Sequence, residues 1–99
     1  MTKKNIFISG ASRGIGKSMA QHFAKSNFNV VGTSRNNFKF DNDLENLLPI
    51  KLDVTSRNDV KDCFDELKSK NLLPDILINN AGITADQLFL RMSDDDWDN

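Results

Sequence analysis

The sequence predicts an α/β fold: the N-terminal part of a doubly wound parallel sheet with about four strands. Three observations predict it. Short apolar runs at Ile6–Ile8, Val30–Val31 and Ile76–Ile78, with a further strand-like stretch at Ile50–Val54, alternate with stretches of helical periodicity, the pattern of parallel strands buried on both faces. Three glycines, Gly10, Gly14 and Gly16, fall on the first strand-to-helix turn. Each apolar run also ends, on its carboxyl side, in polar or glycine residues, and those ends line one crevice in such a sheet.

The elements follow in order. Lys4 to Ser9 reads as the first strand, with Ile6-Phe7-Ile8 at its centre. The glycine loop leads into a helix from Ile15 to Lys25, where Ile15, Met19 and Phe23 recur at helical spacing beside Ala20 and Ala24. Ser26-Asn27 ends it, and Phe28 to Ser34 is the second strand. Asn36 to Pro49 is polar and short for a crossover between parallel strands; Leu44, Leu47 and Leu48 predict a short helix near Leu44. Ile50 to Val54 is the third strand. Ser56 then caps a helix, with Asp59 three residues on in an imperfect capping box. Val60, Phe64 and Leu67 form its buried stripe, and Asn71 to Pro74 ends it. Asp75 to Asn79 is the fourth strand, Asn80-Ala81-Gly82 turns out of it, Ile83 to Met92 is a loop, and Ser93 reads as the N-cap of another helix.

Ninety-nine residues make one small domain at most. Thirteen basic residues against 14 acidic ones leave a net charge of −1, so no basic stripe points to nucleic acid or to an anionic membrane. No apolar run approaches the ~20 residues of a membrane span. Met1 to Asn5 runs into the first strand without a signal-peptide apolar core, and the expectation is a soluble cytoplasmic protein. The single cysteine, Cys63, falls among Val60, Phe64 and Leu67 and reads as a buried structural thiol. No His/Cys cluster supports a metal site. His22, the only histidine, lies on a helix flank and reads as solvated or half-buried rather than catalytic. The acidic tail Ser93–Asp98 lacks calcium-loop spacing; carboxylates in a first helical turn explain it.

Each glycine of the first turn has a physical task. Gly10 permits a sharp exit from the strand at positive φ. Gly14 removes a Cβ where a diphosphate approaches the backbone, and Gly16 lets the helix lie close to the strand it has left. The helix N-terminus presents N–H groups and partial positive charge to a phosphate, with the Ser12 hydroxyl and Arg13 guanidinium beside it. After the second strand, a carboxylate would select a ribose 2′-hydroxyl; this chain has Ser34 and Arg35 instead. Arg13 and Arg35 converging suit a 2′-phosphate, so NADP(H) is read over NAD(H); the alternative is that Arg35 only solvates its loop. Asp53 admits two readings, acceptor for an adenine amino group or turn-capping carboxylate.

Gly10-Ala11-Ser12-Arg13-Gly14-Ile15-Gly16, Asp53-Val54 and Asn79-Asn80-Ala81-Gly82 together resemble the classical short-chain dehydrogenase/reductase family, which has a Rossmann-like fold. Within it, Asn79 to Thr84 with Asp86, Leu88, Arg91-Met92 and Asp96-Trp97 resembles the bacterial reductases of 3-oxoacyl groups on acyl carrier protein. The resemblance implies that residues 1–99 are the NADP-binding N-terminal portion of such a domain. It implies that Gly10, Ser12, Arg13, Gly14, Ile15 and Gly16 hold the phosphates of NADP(H). Thr33 and Arg35 then sit by the adenosine ribose, Asp53 and Val54 at the adenine, and Asn80 and Gly82 by the nicotinamide-side ribose, with Asn80 also steadying the sheet. It further implies reduction of a 3-oxoacyl thioester in fatty-acid synthesis, and a homotetramer. The family's catalytic Asn, Ser, Tyr and Lys have no counterparts here, and the chain contains no tyrosine, so no catalytic residue is assigned and the 99 residues alone are expected to be inactive and, with the fourth strand's outer edge unpaired, marginally stable. The alternatives are another short-chain reductase with a different ketone substrate, and a non-catalytic nucleotide-binding product.

Overall fold

A computed structural model describes residues 3–41, 44–53 and 55–80. Its elements are β1 (Asn5–Ile8), α1 (Gly14–Lys25), β2 (Asn29–Ser34), β3 (Leu47–Lys51), α2 (Arg57–Ser69) and β4 (Ile76–Ile78). The four strands are all parallel, in the order β3-β2-β1-β4. The chain thus winds outward from β1 through β2 to β3, then returns past β1 to β4. This is the doubly wound, Rossmann-like arrangement, and the direction of winding reverses between β1 and β4.

Strand alternation sends side chains to two cores. On one face Ile6, Ile8, Val30 and Leu47 pack with Ala11, Ala20 and Ala24. On the other Phe7, Val31, Ile50 and Leu52 pack with Val60, Cys63, Phe64 and Leu67 of α2. The α2 stripe is the one its spacing predicts, and Ser56 caps the helix by accepting a hydrogen bond from the Asp59 N–H.

Both helices close alike. Asn27 (φ 74) and Asn71 (φ 59) take the left-handed conformation just past the last turn. The next amides reach back, Phe28 N–H to the Phe23 carbonyl at 3.1 Å and Leu72 N–H to that of Leu67 at 2.7 Å. These are Schellman closures, with asparagine in the place glycine most often fills.

Three sequence expectations shift. The buried face of α1 is Gly16, Ala20 and Ala24, one position on from the bulky stripe. Met19 and Phe23 pack at the margin of the core, and Ile15 is 74% exposed. Small side chains bring the helix axis near the sheet, so larger ones are displaced to its flanks. The third strand begins at Leu47 rather than Ile50 and ends at Lys51. Pro49 is tolerated because, among the described residues, β3 has only β2 as a neighbour, leaving one side where no ladder donor is needed. The short helix near Leu44 is absent among the described residues, where Glu45 and Asn46 form a turn. Asn46 holds that turn by donating from Nδ2 to the carbonyls of Ala24 and Phe28, at 2.8 and 2.6 Å. The expected loop from Ile83 and helix at Ser93 lie outside the described residues. Among the described residues no helix is long and apolar enough to cross a membrane.

Burial pushes the Cys63 thiol up to about 12 from its ordinary 9.0, with Glu66 adding to the shift. The folded chain therefore holds this proton where an unfolded chain releases it. The contribution to stability is intact below about pH 9 and is lost as pH rises toward 12. Cys63 is expected to react with an aromatic disulfide reagent at neutral pH only at the rate of unfolding, and at once in urea; equal rates in both would show the thiol to be open.

Candidate nucleotide-binding site

The strands deliver their carboxyl ends to one cleft of about 870 Å³, walled by residues following β1, β2, β3 and β4. Two ties close its floor where the winding reverses. The Asn80 N–H donates to Ser9 Oγ at 3.2 Å, and Asn80 Nδ2 donates to the Gly10 carbonyl at 2.9 Å. Ser9 is buried and its N–H donates to the Ile78 carbonyl. Asn80 thus fixes the exit of β4 to the exit of β1.

The glycine loop is shaped as its residues require. Gly10 (φ 66) and Gly14 (φ 63) take positive φ, open to glycine without penalty. A Cβ on Gly14 would meet nothing within 4 Å, so this face of the loop opens to the cleft. A Cβ on Gly16 would overlap the Gly10 carbonyl oxygen and lie 2.5 Å from Asn80 Nδ2; only glycine lets α1 start there. Ala11 N–H bonds to the Thr33 carbonyl at 2.9 Å, stitching the loop to β2. The N-cap, Arg13, makes no side-chain cap, and first-turn amides have no intrahelical acceptor. A helix N-terminus of this kind has amides that can receive an anion.

Seven of the sequence-predicted residues line this cleft together: Gly10, Ser12, Arg13, Gly14, Thr33, Arg35 and Asn80. Arg13 and Arg35 are exposed, and neither is in a salt bridge among the described residues. Gly16 lies beneath the loop, where it packs rather than lines, and Ile15 projects to solvent. Asp53 Oδ1 accepts hydrogen bonds from the Thr55 hydroxyl (2.6 Å) and amide (3.0 Å). The hydroxyl bond, then the amide bond, with the Arg35 charge adding, hold this carboxyl below its ordinary value. Asp53 Oδ1 therefore caps this turn. Val54 and Gly82 lie outside the described residues.

Sequence reasoning missed part of the wall. Asn36, Asn37, Phe38 and Thr55 also line the cleft, beside the Ser34 that the sequence places at the end of the second strand. Ser34 Oγ accepts a 3.4 Å bond from the Asn36 amide. The readable signal was Gly32, a glycine inside a strand, which marks close approach of another group. A Cβ there would lie 2.6 Å from Phe40 Cζ and 2.7 Å from Ala11 Cβ. Among the described residues no group of His, Cys, Asp or Glu is arranged to hold a metal.

A glycine-bearing turn from a parallel strand into a helix, at the reversal of a doubly wound sheet, defines a nucleotide-binding class of protein. The profile of the short chain dehydrogenase family matches residues 4–99, and the chain belongs to that family. It is 40% identical, over 97% of its length, to the 3-oxoacyl-[acyl-carrier-protein] reductase FabG of Buchnera aphidicola, and 36% identical, over 95%, to that of Chlamydia pneumoniae. It spans 41% of the length of each. Among solved structures, a short-chain dehydrogenase from Leptospira borgpetersenii with bound NAD+ superposes with a TM-score of 0.79 at 21% identity, covering 98% of this chain and 47% of that one. ElxO with NADP bound gives a TM-score of 0.69 at 37% identity, covering 83% and 36%.

Proposed function

We propose that this chain is the NADP(H)-binding portion of a reductase acting on 3-oxoacyl groups carried by acyl carrier protein. The observation that carries the reading is the cleft itself, where a loop with two positive-φ glycines and two guanidinium groups that form no salt bridge among the described residues meet at a helix N-terminus without a side-chain cap. The residues fit the nucleotide: the open side of Gly14 leaves room for a diphosphate against the backbone.

Gly10, Gly14 and the first amides of α1 (those of Ile15 and Gly16 among them) would bind the diphosphate, with Ser12 and Arg13 adding a hydroxyl and a charge. Arg35, with Arg13, would take the 2′-phosphate that distinguishes NADP(H). Thr33 would border the adenosine ribose, Asp53 with Val54 the adenine, and Asn80 with Gly82 the other ribose. When bound, the reduced nicotinamide supplies hydride to a ketone. The relatives named 3-oxoacyl-[acyl-carrier-protein] reductase support the substrate class; a cytoplasmic homotetramer is part of the proposal through the family resemblance alone.

The test is titration of the purified chain with NADPH and NADH, followed by nucleotide fluorescence. NADPH is expected to bind the more tightly. Arg35→Ala is expected to weaken NADPH about tenfold and leave NADH unchanged, since a charge-assisted bond to phosphate contributes about 1.5–3 kcal/mol. Equal losses for both would remove the 2′-phosphate assignment, and no binding of either would remove the nucleotide reading.

A further inference from the structure

Phe38 stands in the cleft wall with no part in the phosphate contacts proposed above. It is half-buried and lines the cleft. Its neighbour in space is Phe40, with ring centroids 5.2 Å apart and planes at 79°, an edge-to-face pair that holds both rings. Phe40 is anchored in turn. Its Cζ occupies the notch above Gly32 of β2, where a Cβ would stand only 2.6 Å away. The next residue, Asp41, is tied to α1 by an ion pair with Lys17 at 2.9 Å and by its amide to Gln21 Oε1 at 3.0 Å. Phe38 is therefore an aromatic side chain presented to the cleft from a connection pinned on both sides.

Its place decides what it meets. Phe38 follows Arg35 on the β2–β3 side of the glycine loop, away from the β1–β4 reversal. A dinucleotide with its diphosphate at α1 extends one half to each side of that loop. The half on the β2–β3 side is the one whose ribose phosphate lies at Arg35, and it carries the adenine.

We propose that Phe38, backed by Phe40 in the Gly32 notch, is a stacking platform for the adenine ring. This rests on the nucleotide reading and adds to it a residue that fixes the base. Base-on-aromatic stacking is tolerant of ring type, so tyrosine or tryptophan should serve and leucine should not.

The experiment titrates the chain and its Phe38→Leu, Phe38→Tyr and Phe38→Trp variants with 2′,5′-ADP, which carries the adenine, and with reduced nicotinamide mononucleotide, which lacks it. Phe38→Leu is expected to weaken 2′,5′-ADP about tenfold and leave the mononucleotide unchanged. Phe38→Tyr should bind within about twofold of the parent. In Phe38→Trp, 2′,5′-ADP should quench fluorescence beyond any change at Trp97 in the parent. Unchanged affinity in Phe38→Leu with no added quenching in Phe38→Trp would overturn the platform while leaving the nucleotide reading intact. Equal weakening of both probes by Phe38→Leu would also overturn it, as a general loss of structure. Failure of the parent to bind either NADPH or 2′,5′-ADP would overturn both.

Discussion

Gly16→Ala is expected to destabilise the chain by about 3 kcal/mol, the upper end for overpacking, and to abolish NADPH binding. The added methyl has nowhere to go. It would overlap the Gly10 carbonyl oxygen and stand 2.5 Å from Asn80 Nδ2, and those two groups are themselves hydrogen-bonded at 2.9 Å. Retreat of either breaks the tie between the exits of β1 and β4. Backbone at Gly10 is further constrained because the adjacent Ala11 amide is bonded to Thr33. The helix must therefore move away from the sheet, which opens the core around Ala20 and Ala24 and displaces the amides that face the cleft. Gly14→Ala separates packing from conformation. Its methyl meets nothing within 4 Å but must adopt φ 63, a penalty of roughly 1–2 kcal/mol. Urea denaturation followed by circular dichroism should rank the parent above Gly14→Ala and Gly14→Ala above Gly16→Ala. A Gly16→Ala midpoint equal to that of the parent would show that the loop is not closed on the helix as described.

That ranking also shows what was legible in the sequence. The tasks of Gly10 and Gly16 follow from having no Cβ, and glycine spacing states them directly. The α2 stripe and Ser56 cap were likewise written in spacing and residue type. The buried face of α1 was harder to read, because hydrophobic periodicity weights Ile15, Met19 and Phe23 above the small residues that touch the sheet. Ile15 is 74% exposed while Ala20 is fully buried, an outcome set by how near two backbones come. The connection from β2 to β3 was least legible. Its leucines read as a helical turn, yet it is held by single contacts: Phe40 in a notch, Asp41 on Lys17 and Gln21, and Asn46 on the end of α1. Such long-range pairings have no local period. Asp53 was legible only as a pair of alternatives; its Oδ1 caps the turn through Thr55, and the adenine role stays with the nucleotide titration.

Gly32→Val tests that connection and is expected to destabilise the chain by about 3 kcal/mol. Valine suits a strand by propensity, and position 32 lies between Val31 and Thr33 in β2, so local preference alone predicts a gain. Packing predicts the reverse, since the first carbon of any side chain would stand 2.6 Å from Phe40 Cζ and 2.7 Å from Ala11 Cβ. Phe40 is the far end of a side chain and can be removed; Ala11 belongs to the glycine loop and is held by its own amide. Combining Gly32→Val with Phe40→Ala should therefore recover part of the loss, with a coupling of about 1 kcal/mol in a double-mutant cycle, and the Ala11 overlap should keep the rest. Additive losses would mean that Phe40 does not occupy the notch. The same cycle read through 2′,5′-ADP affinity reaches the platform. Displacing Phe40 removes the support behind Phe38, so both single variants should bind this probe more weakly than their stability loss alone requires at temperatures where each remains folded. A loop alanine, a strand glycine and two phenylalanines would then form one chain of contacts from the sheet to the base.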